Sequence, residues 1–236
     1  MVIFYILFST LLPCCFFIRP LKALLTERPF GKSLSNNKYQ LMMLFAFMVG
    51  FGIRIWNIGT FPMGLNQDEA SAGYDAWSIL NYGIDRNGFF LPVHLFSWGS
   101  GQNALYSYLC MPFIAIFGLT PFSIRLPMAL LGCGTLPVIK KLLTKFSTQR
   151  FAAVGVLAFA LAPWHIMKSR WGLESNLLPD MILIAVLLLS VGIKGKLRHF
   201  YTGCAFLGLC AYAYGTSYLF LPLFILLFFG MMIASK

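Results

Sequence analysis

Two short polar segments carry the side chains best suited to chemistry. One is Asn66-Gln67-Asp68-Glu69, and the other runs from Lys168 through Arg170 to Glu174. A carboxylate in a partly desolvated cleft accepts a proton readily, which suits a general base acting on a hydroxyl. Arginine binds two phosphate oxygens with its planar fork, and a nearby cation stabilises charge on a leaving phosphate. Transfer from a phosphate-linked donor would need a base beside phosphate-binding cations, and the candidate residues are Asp68, Glu69, Arg125, Lys168, Arg170 and Glu174.

Each of these residues also has a simpler interpretation. Asp68 would cap a helix that begins near Ala70, and Glu69 would add favourable charge at the positive end of that helix. Lys168 and Arg170 would be interfacial anchors among aromatic residues. The residues alone therefore predict a polar cleft and leave open whether the chain is an enzyme or a transporter.

Other polar residues inside the apolar segments are weaker candidates. Arg54 is interpreted as a side chain that extends outward to the interface. His94 and His165 are isolated in sequence, which favours ordinary polar contacts over catalysis or metal binding. Asp180 lies one turn inside an apolar block, which is costly unless it is paired or near water. The six cysteines lie in apolar segments without a C-x-x-C pair, so no metal site or disulfide framework is expected.

Composition restricts the class of protein. Hydrophobic residues make up 59% of the 236 residues and charged residues only 11%, and the apolar residues form blocks of membrane-spanning length. The net charge of +11 arises from short Lys and Arg clusters between those blocks. This distribution is typical of loops that orient a membrane protein, so nucleic-acid binding is not expected.

The elements that must position the site are helices. The sequence predicts an all-α polytopic membrane protein with about six to seven transmembrane helices. Residues 1–38 would form an N-terminal membrane helix and a basic cytoplasmic loop, and residues 39–236 a transmembrane module. The predicted apolar blocks are 39–58, 125–139, 151–167, 177–193 and 200–234, the last long enough for two helices broken around 214–217.

Residues 59–124 form a large predicted outer loop. Within it, 69–81 has helical character, while 103–117 is apolar but short for a span, which indicates a helix in or near the membrane interface. If the 19–38 loop is cytoplasmic, most basic residues face the cytoplasm and nearly all acidic residues face outward. Charge therefore predicts a multi-pass protein of the cell membrane whose candidate site lies on the extracytoplasmic side.

The order of several motifs resembles a known family. They are Asn57-Ile58-Gly59 to Leu65, Asp68-Glu69-Ala70, Gly83-Ile84-Asp85, Phe122 to Pro127, and Ala162-Pro163-Trp164 with Ser169 to Glu174. Together they are similar to the first outer loop and following spans of protein O-mannosyltransferase-like members of the glycosyltransferase C superfamily. Bacterial members of this group include the lipid A aminoarabinose transferases. The resemblance covers roughly residues 54–222.

The resemblance implies an inverting, hexosyltransferase-type enzyme that moves a sugar from a polyprenyl-phosphate lipid to an extracytoplasmic acceptor. Asp68 would be the catalytic base with Glu69 beside it, and Glu174 would be a second-loop carboxylate. Arg125 and Arg170, with Lys168, would contact the donor phosphate or organise the site. A divalent metal is compatible with this chemistry but is not required by the sequence. Family members are longer, so the resemblance also implies a missing C-terminal part, supplied by a partner or absent from an inactive fragment.

Overall fold

The computed structural model describes residues 37–97, 100–193 and 195–234. The predicted N-terminal membrane helix and most of the basic loop after it lie outside these residues. Within the described part the chain is mostly helical. Its helices are α1 (Asn37–Ile55), α2 (Gln67–Tyr82), α3 (Leu105–Phe117), α4 (Pro121–Phe146), α5 (Gln149–Ala160), α6 (Pro163–Arg170), α7 (Glu174–Gly192), α8 (Leu197–Cys210) and α9 (Ser217–Ala234).

Three of these helices are long and apolar enough to cross a membrane: α1, α4 and α7. Helix α4 has 26 residues and so is about 39 Å long, more than the ~30 Å of a bilayer's hydrocarbon core. Helices α5 and α6 meet the same test only as a pair, bent by 51° at a short break. The structure thus has three candidate spans, or four if the bent pair counts as one.

The apolar block 151–167 is interrupted in the structure. The break falls at Leu161 and Ala162, directly before Pro163. A residue that precedes proline is disfavoured in the α conformation, and proline has no N–H for the preceding turn. The sequence signal was therefore present in the Ala162-Pro163 dipeptide.

Helix α4 is the centre of the packing. It contacts α1, α3, α5, α6 and α7, while α7 packs extensively against α8. One apolar core joins α2, α3, α4, α7 and α8, and a second joins α1, α4 and α5. Large apolar side chains on α1 and α9 are exposed, as expected of surfaces that face lipid.

Local sequence explains the ends of the helices near the site. Asn66 caps α2, and Glu69 completes a reciprocal capping box, so the cap is Asn66 and not Asp68. Gly83 ends α2 with φ 72°, a conformation that glycine adopts without strain. Thr120 and Ser123 form a second capping box at the start of α4, with Pro121 in the first turn.

A short antiparallel hairpin follows α2, with strands β1 (His94–Ser97) and β2 (Ser100–Asn103). The sequence analysis did not predict it. It leads into α3, which has 13 residues and is short for a span, in keeping with the predicted non-spanning helix at 103–117. The N-terminal ends of α4 and α7 contact α2 and this hairpin through Arg125 and Glu174. Arg170, at the C-terminal end of α6, contacts the segment that joins α1 to α2. We refer to this end of the molecule as the α2 end.

Candidate functional site

The α2 end is built around a buried ion pair between Glu69 of α2 and Arg125 of α4. Nε of Arg125 donates to Oε1 of Glu69 at 2.9 Å, and Nη2 donates to Oε2 at 3.0 Å. Both residues are fully buried. The two-pronged geometry is the strong form of an arginine–carboxylate contact, so it fixes α2 against the start of α4.

Every N–H of the Arg125 guanidinium has a protein acceptor. Besides Glu69, it donates to the carbonyl oxygens of Ile58 at 3.1 Å, Pro62 at 2.8 Å and Gly64 at 2.5 Å. Guanidinium has five N–H donors, and these contacts use all of them. A phosphate could bind Arg125 only by displacing protein acceptors. Of the two roles expected for Arg125, the geometry therefore fits organisation of the site better than direct phosphate binding.

Arg170, at the end of α6, holds the same loop from the other side. It donates to the carbonyl oxygens of Ile53, Trp56 and Phe61, the last two at 2.9 Å. Two buried arginines therefore anchor the segment 53–64, which contains a cis peptide bond before Pro62. Their contacts set where α2 begins, and so where Asp68 lies.

Glu69 accepts two further hydrogen bonds. The backbone N–H of Asn66 donates to Oε2 at 2.9 Å, and the N–H of Gly172 donates to Oε1 at 2.7 Å. Each carboxylate oxygen thus has two donors. Glu69 joins α2, α4 and the α6–α7 loop, and this geometry gives it a positioning role next to Asp68.

Asp68 differs from the other described acids. It is exposed, and its carboxylate has no hydrogen bond or ion pair within residues 37–97, 100–193 and 195–234. Its backbone is held instead, because its N–H donates to Asn66 at 2.9 Å and its carbonyl accepts from Gln102 at 3.4 Å. Protein donors hold the carboxylates of the other described acids: Glu69, Asp75, Asp85, Glu174 and Asp180.

Glu174 lies close enough to Asp68 for the two carboxylates to interact electrostatically. It is half-buried at the start of α7, and Oε2 accepts from the backbone N–H of Asn103. The side-chain Nδ2 of Asn103 is buried without a hydrogen-bond partner. The structure thus brings together the carboxylates of both polar segments that the sequence analysis selected.

A network of polar side chains that was not predicted from the sequence begins at Ser71, three residues after Asp68. Ser71, one turn further along α2, donates to Oε1 of Gln102 at 3.2 Å and accepts from the guanidinium of Arg86. Arg86 also lies 3.0 Å from Oδ2 of Asp75, an ionic contact rather than a well-directed hydrogen bond. Burial raises the pKa of Asp75 above its usual value, and Arg86 partly opposes this shift. The Arg86 side chain is 23% exposed, so this cation remains accessible.

Lys168 is placed away from Asp68, in a second polar cluster. Its Nζ donates to Oδ1 of Asp180 at 2.7 Å, and this oxygen is 3.4 Å from Nε2 of His165. Nδ1 of His165 is 2.8 Å from Nη2 of Arg54, and Nε2 is 3.3 Å from the hydroxyl of Thr135. We call these five residues the buried cluster. Thr135 lies near the middle of α4, so the cluster is deep within the helices.

The buried cluster corrects one interpretation from sequence and agrees with two others. Arg54 is fully buried and does not extend outward. His165 makes polar contacts, as expected, and Asp180 is paired with Lys168, as a buried carboxylate requires. Contacts between residues more than a hundred positions apart, as Arg54 and His165 are, leave no local sequence pattern. The available signal was that several ionisable residues fell inside apolar blocks, which is costly unless they meet one another.

No group of three or more His, Cys, Asp or Glu side chains that could hold a metal ion occurs in the part of the chain that the structure describes. Comparisons of the chain with protein-family models, with curated proteins and with solved structures give no match.

Proposed function

We propose that this chain is a membrane glycosyltransferase that moves a sugar from a polyprenyl-phosphate donor to an acceptor hydroxyl, with Asp68 as the general base. The observation that carries the proposal is the state of Asp68. It is an exposed carboxylate without a partner among the residues that the structure describes, on a helix turn that Glu69, Arg125 and Arg170 hold in place. A free carboxylate on a rigid support is what a general base requires.

The reaction would use the residues around Asp68 in distinct ways. The acceptor hydroxyl would give its proton to Asp68 while its oxygen attacks the anomeric carbon and the phosphate leaves with inversion. Glu174, near Asp68, would orient the acceptor. Arg86 is the partly exposed cation on this side of α2, and it suits the departing phosphate better than Arg125 does, because all of Arg125's donors are occupied.

The proposal includes a membrane topology. The α2 end would face the extracytoplasmic side, where the donor reaches the site laterally from the lipid. The bent α5–α6 pair and helices α8 and α9 would add to the three long apolar helices, giving about six to seven spans with the N-terminal block. Accessibility of single cysteines placed at Gly64 and at Lys141 to a membrane-impermeant reagent tests this orientation, since only Gly64 should be labelled from outside.

Transfer of radiolabelled sugar from polyprenyl-phosphate donors to membranes tests the reaction. Membranes would contain the wild-type chain, Asp68→Asn, or Gln67→Ala as a matched change on the same exposed turn. Loss of a general base typically reduces the rate by about 10²- to 10⁴-fold, so Asp68→Asn should abolish detectable transfer while Gln67→Ala retains it. Transfer by Asp68→Asn at the wild-type rate would disprove the assignment of the base.

A second candidate function, a membrane transporter or lipid-handling protein, is favoured by the buried cluster. Charged side chains deep in the membrane beside a broken helix are characteristic of transport sites. Arg54, Lys168 and Asp180 lie beside the break between α5 and α6. Substrate uptake or lipid flipping in proteoliposomes that is lost in Asp180→Asn and retained in Asp68→Asn would favour this function over sugar transfer.

A further inference from the structure

The bent span depends on Arg54 of α1. Helix α5 ends at Ala160, and its last carbonyl oxygens have no N–H of their own helix to accept from. Arg54 donates to the carbonyl oxygens of Ala160 at 3.0 Å and of Phe159 at 3.4 Å. A cation is also favourable at the negative end of a helix dipole. Arg54 is therefore the donor for the carbonyl oxygen of Ala160 at the break, while that of Phe159 also accepts from the N–H of Ala162 at 3.3 Å.

The same guanidinium determines the state of His165. Arginine can only donate, so its contact at 2.8 Å requires Nδ1 of His165 to be an acceptor without a proton. The ring proton is then on Nε2, which faces Oδ1 of Asp180 at 3.4 Å and the Thr135 hydroxyl at 3.3 Å. This assignment of the tautomer follows from the partners of the ring. His165 is thus a neutral bridge between Arg54 and Asp180.

We propose that the buried cluster is a proton-binding site at which a proton and the Arg54 guanidinium compete for Nδ1 of His165. A proton delivered as hydronium would form the Nδ1–H bond and leave a water molecule. The imidazolium N–H would then face the N–H of Arg54, so the hydrogen bond between them must break. This site does not include Asp68 and goes beyond the proposed function.

The exchange keeps the buried charge constant, which makes it feasible in a low-dielectric interior. Lys168 and Asp180 neutralise one another, and the remaining positive charge is on Arg54 before the exchange and on His165 after it. The imidazolium would keep its Nε2–H contact with Asp180 and would lie against the Phe159 ring, whose centroid is 4.2 Å away. Arg54 lies in the last turn of α1, so its long side chain can extend to the α2 end.

Groups from α1, α4, α5, α6 and α7 surround His165. The charged groups are Arg54 on α1, Lys168 on α6 and Asp180 on α7, while α5 contributes the Phe159 ring and backbone carbonyls. The remaining polar groups are Thr135 on α4, Ser169 on α6 and the thiol of Cys133, which interacts electrostatically with Arg54. Only the Arg54 contact requires an unprotonated Nδ1, so Arg54 is the group that a proton must displace.

Displacement of Arg54 has a mechanical consequence. The carbonyl oxygens of Phe159 and Ala160 would lose their side-chain donor, so the α5–α6 break would become free to bend. Because Arg170 at the end of α6 also holds the 53–64 segment, a movement of α6 would reach the α2 end. Proton binding in the buried cluster would in this way be coupled to the exposed site.

Nitrogen NMR of the full-length chain, labelled with ¹⁵N-histidine in lipid nanodiscs, tests the proposal. His165→Asn would assign the His165 signals among the three histidines. The wild type should show the Nε2–H tautomer at neutral pH. Arg54→Met should bind the proton at a pH higher by about one unit, a tenfold gain in proton affinity. Arg198→Met removes an exposed arginine on α8 and should leave the His165 titration unchanged.

Three results would overturn the proposal: an Nδ1–H tautomer in the wild type, equal titration in wild type and Arg54→Met, or an equal shift in Arg198→Met. Arg54→Met exposes a helix break, and a wild-type measurement tests the proposal if this variant fails to fold. Hydrogen exchange at residues 161–165 should be faster once His165 is protonated than before. Equal exchange rates on the two sides of the His165 titration would show that the cluster is only a structural brace.

Discussion

Glu69 and Arg125, 56 residues apart, form a fully buried ion pair with two hydrogen bonds of 2.9 and 3.0 Å. The exposed Asp68 is the residue directly before Glu69 in the first turn of α2. Since Arg125 also binds three carbonyl oxygens of the 58–64 segment, one side chain fixes both the helix and the loop before it. The candidate base therefore projects from a support that is rigid on its inner side.

Arg125→Lys should strongly destabilise the chain. Lysine has three N–H donors on one nitrogen, so it cannot reach both oxygens of Glu69 and the three carbonyl oxygens together. Disruption of a buried ion pair typically costs about 3–5 kcal/mol. Thermal unfolding of the purified chain in detergent would measure the loss. Unfolding at the wild-type temperature would contradict the central role assigned to Arg125.

Asp68→Asn and Glu69→Gln should affect stability to very different extents, although the residues are adjacent. Asp68 is exposed and its carboxylate has no partner in the described part of the chain, so its loss should change the free energy of unfolding by no more than about 1 kcal/mol, through the helix dipole. Glu69→Gln places an amide NH₂ against the Arg125 guanidinium and should cost about 3–5 kcal/mol. The same unfolding measurement on both variants separates a catalytic carboxylate from a positioning one, and equal losses would argue against that distinction.

Sequence reasoning succeeded where the determining signal was local. The long apolar blocks located the helices that became α1, α4 and α7, because a span needs a continuous run of apolar residues. The helical spacing of apolar residues such as Ala72 and Ala76 located α2, and both residues are buried against the core. The two polar segments with Asp68 and Glu174 were selected by residue type, and their carboxylates do lie near one another.

Sequence reasoning failed where the partner of a charge lies far along the chain. No local sequence pattern indicates that Arg125 donates to the carbonyl oxygens of a loop, or that Arg54 caps the end of α5. These contacts form because buried backbone carbonyls at a helix break or in a tight loop need donors, and a long guanidinium can supply several. The six to seven predicted spans, the orientation and the family resemblance stay predictions.

The pH dependence of stability should report on Asp75. Burial raises the pKa of this carboxyl, so the native state binds the proton more tightly than the unfolded chain. Its contribution to stability is therefore present at acid pH and is lost as the pH rises through the native pKa. Asp75→Asn removes this titration and keeps an oxygen for the Arg86 N–H, which is 3.1 Å from Oδ1. The stability of Asp75→Asn relative to wild type should therefore increase from acid to neutral pH. A difference that is constant across this range would contradict the assignment.

Gly172→Ala should loosen the contact between the α6–α7 loop and Glu69. A Cβ at this position would lie 2.8 Å from the hydroxyl oxygen of Tyr106 and 3.1 Å from the carbonyl oxygen of Ile124. Both oxygens are tied to each other by a 2.7 Å hydrogen bond and cannot easily move. Such overpacking typically costs about 1–3 kcal/mol. Because the Gly172 N–H donates to Glu69, the strain should also disturb the first turn of α2.

Gly208→Ala is the matched control for that change. Gly208 lies within α8, and a Cβ there would meet nothing within 4 Å. Alanine is the better helix former, so this variant should be as stable as the wild type or gain up to about 1 kcal/mol. Unfolding temperatures and sugar-transfer rates of the two variants should therefore diverge, with losses in Gly172→Ala alone. If Gly172→Ala were as stable as Gly208→Ala, the loop would have room to move, and the rigid support of Asp68 by Glu69 and Gly172 would be wrong.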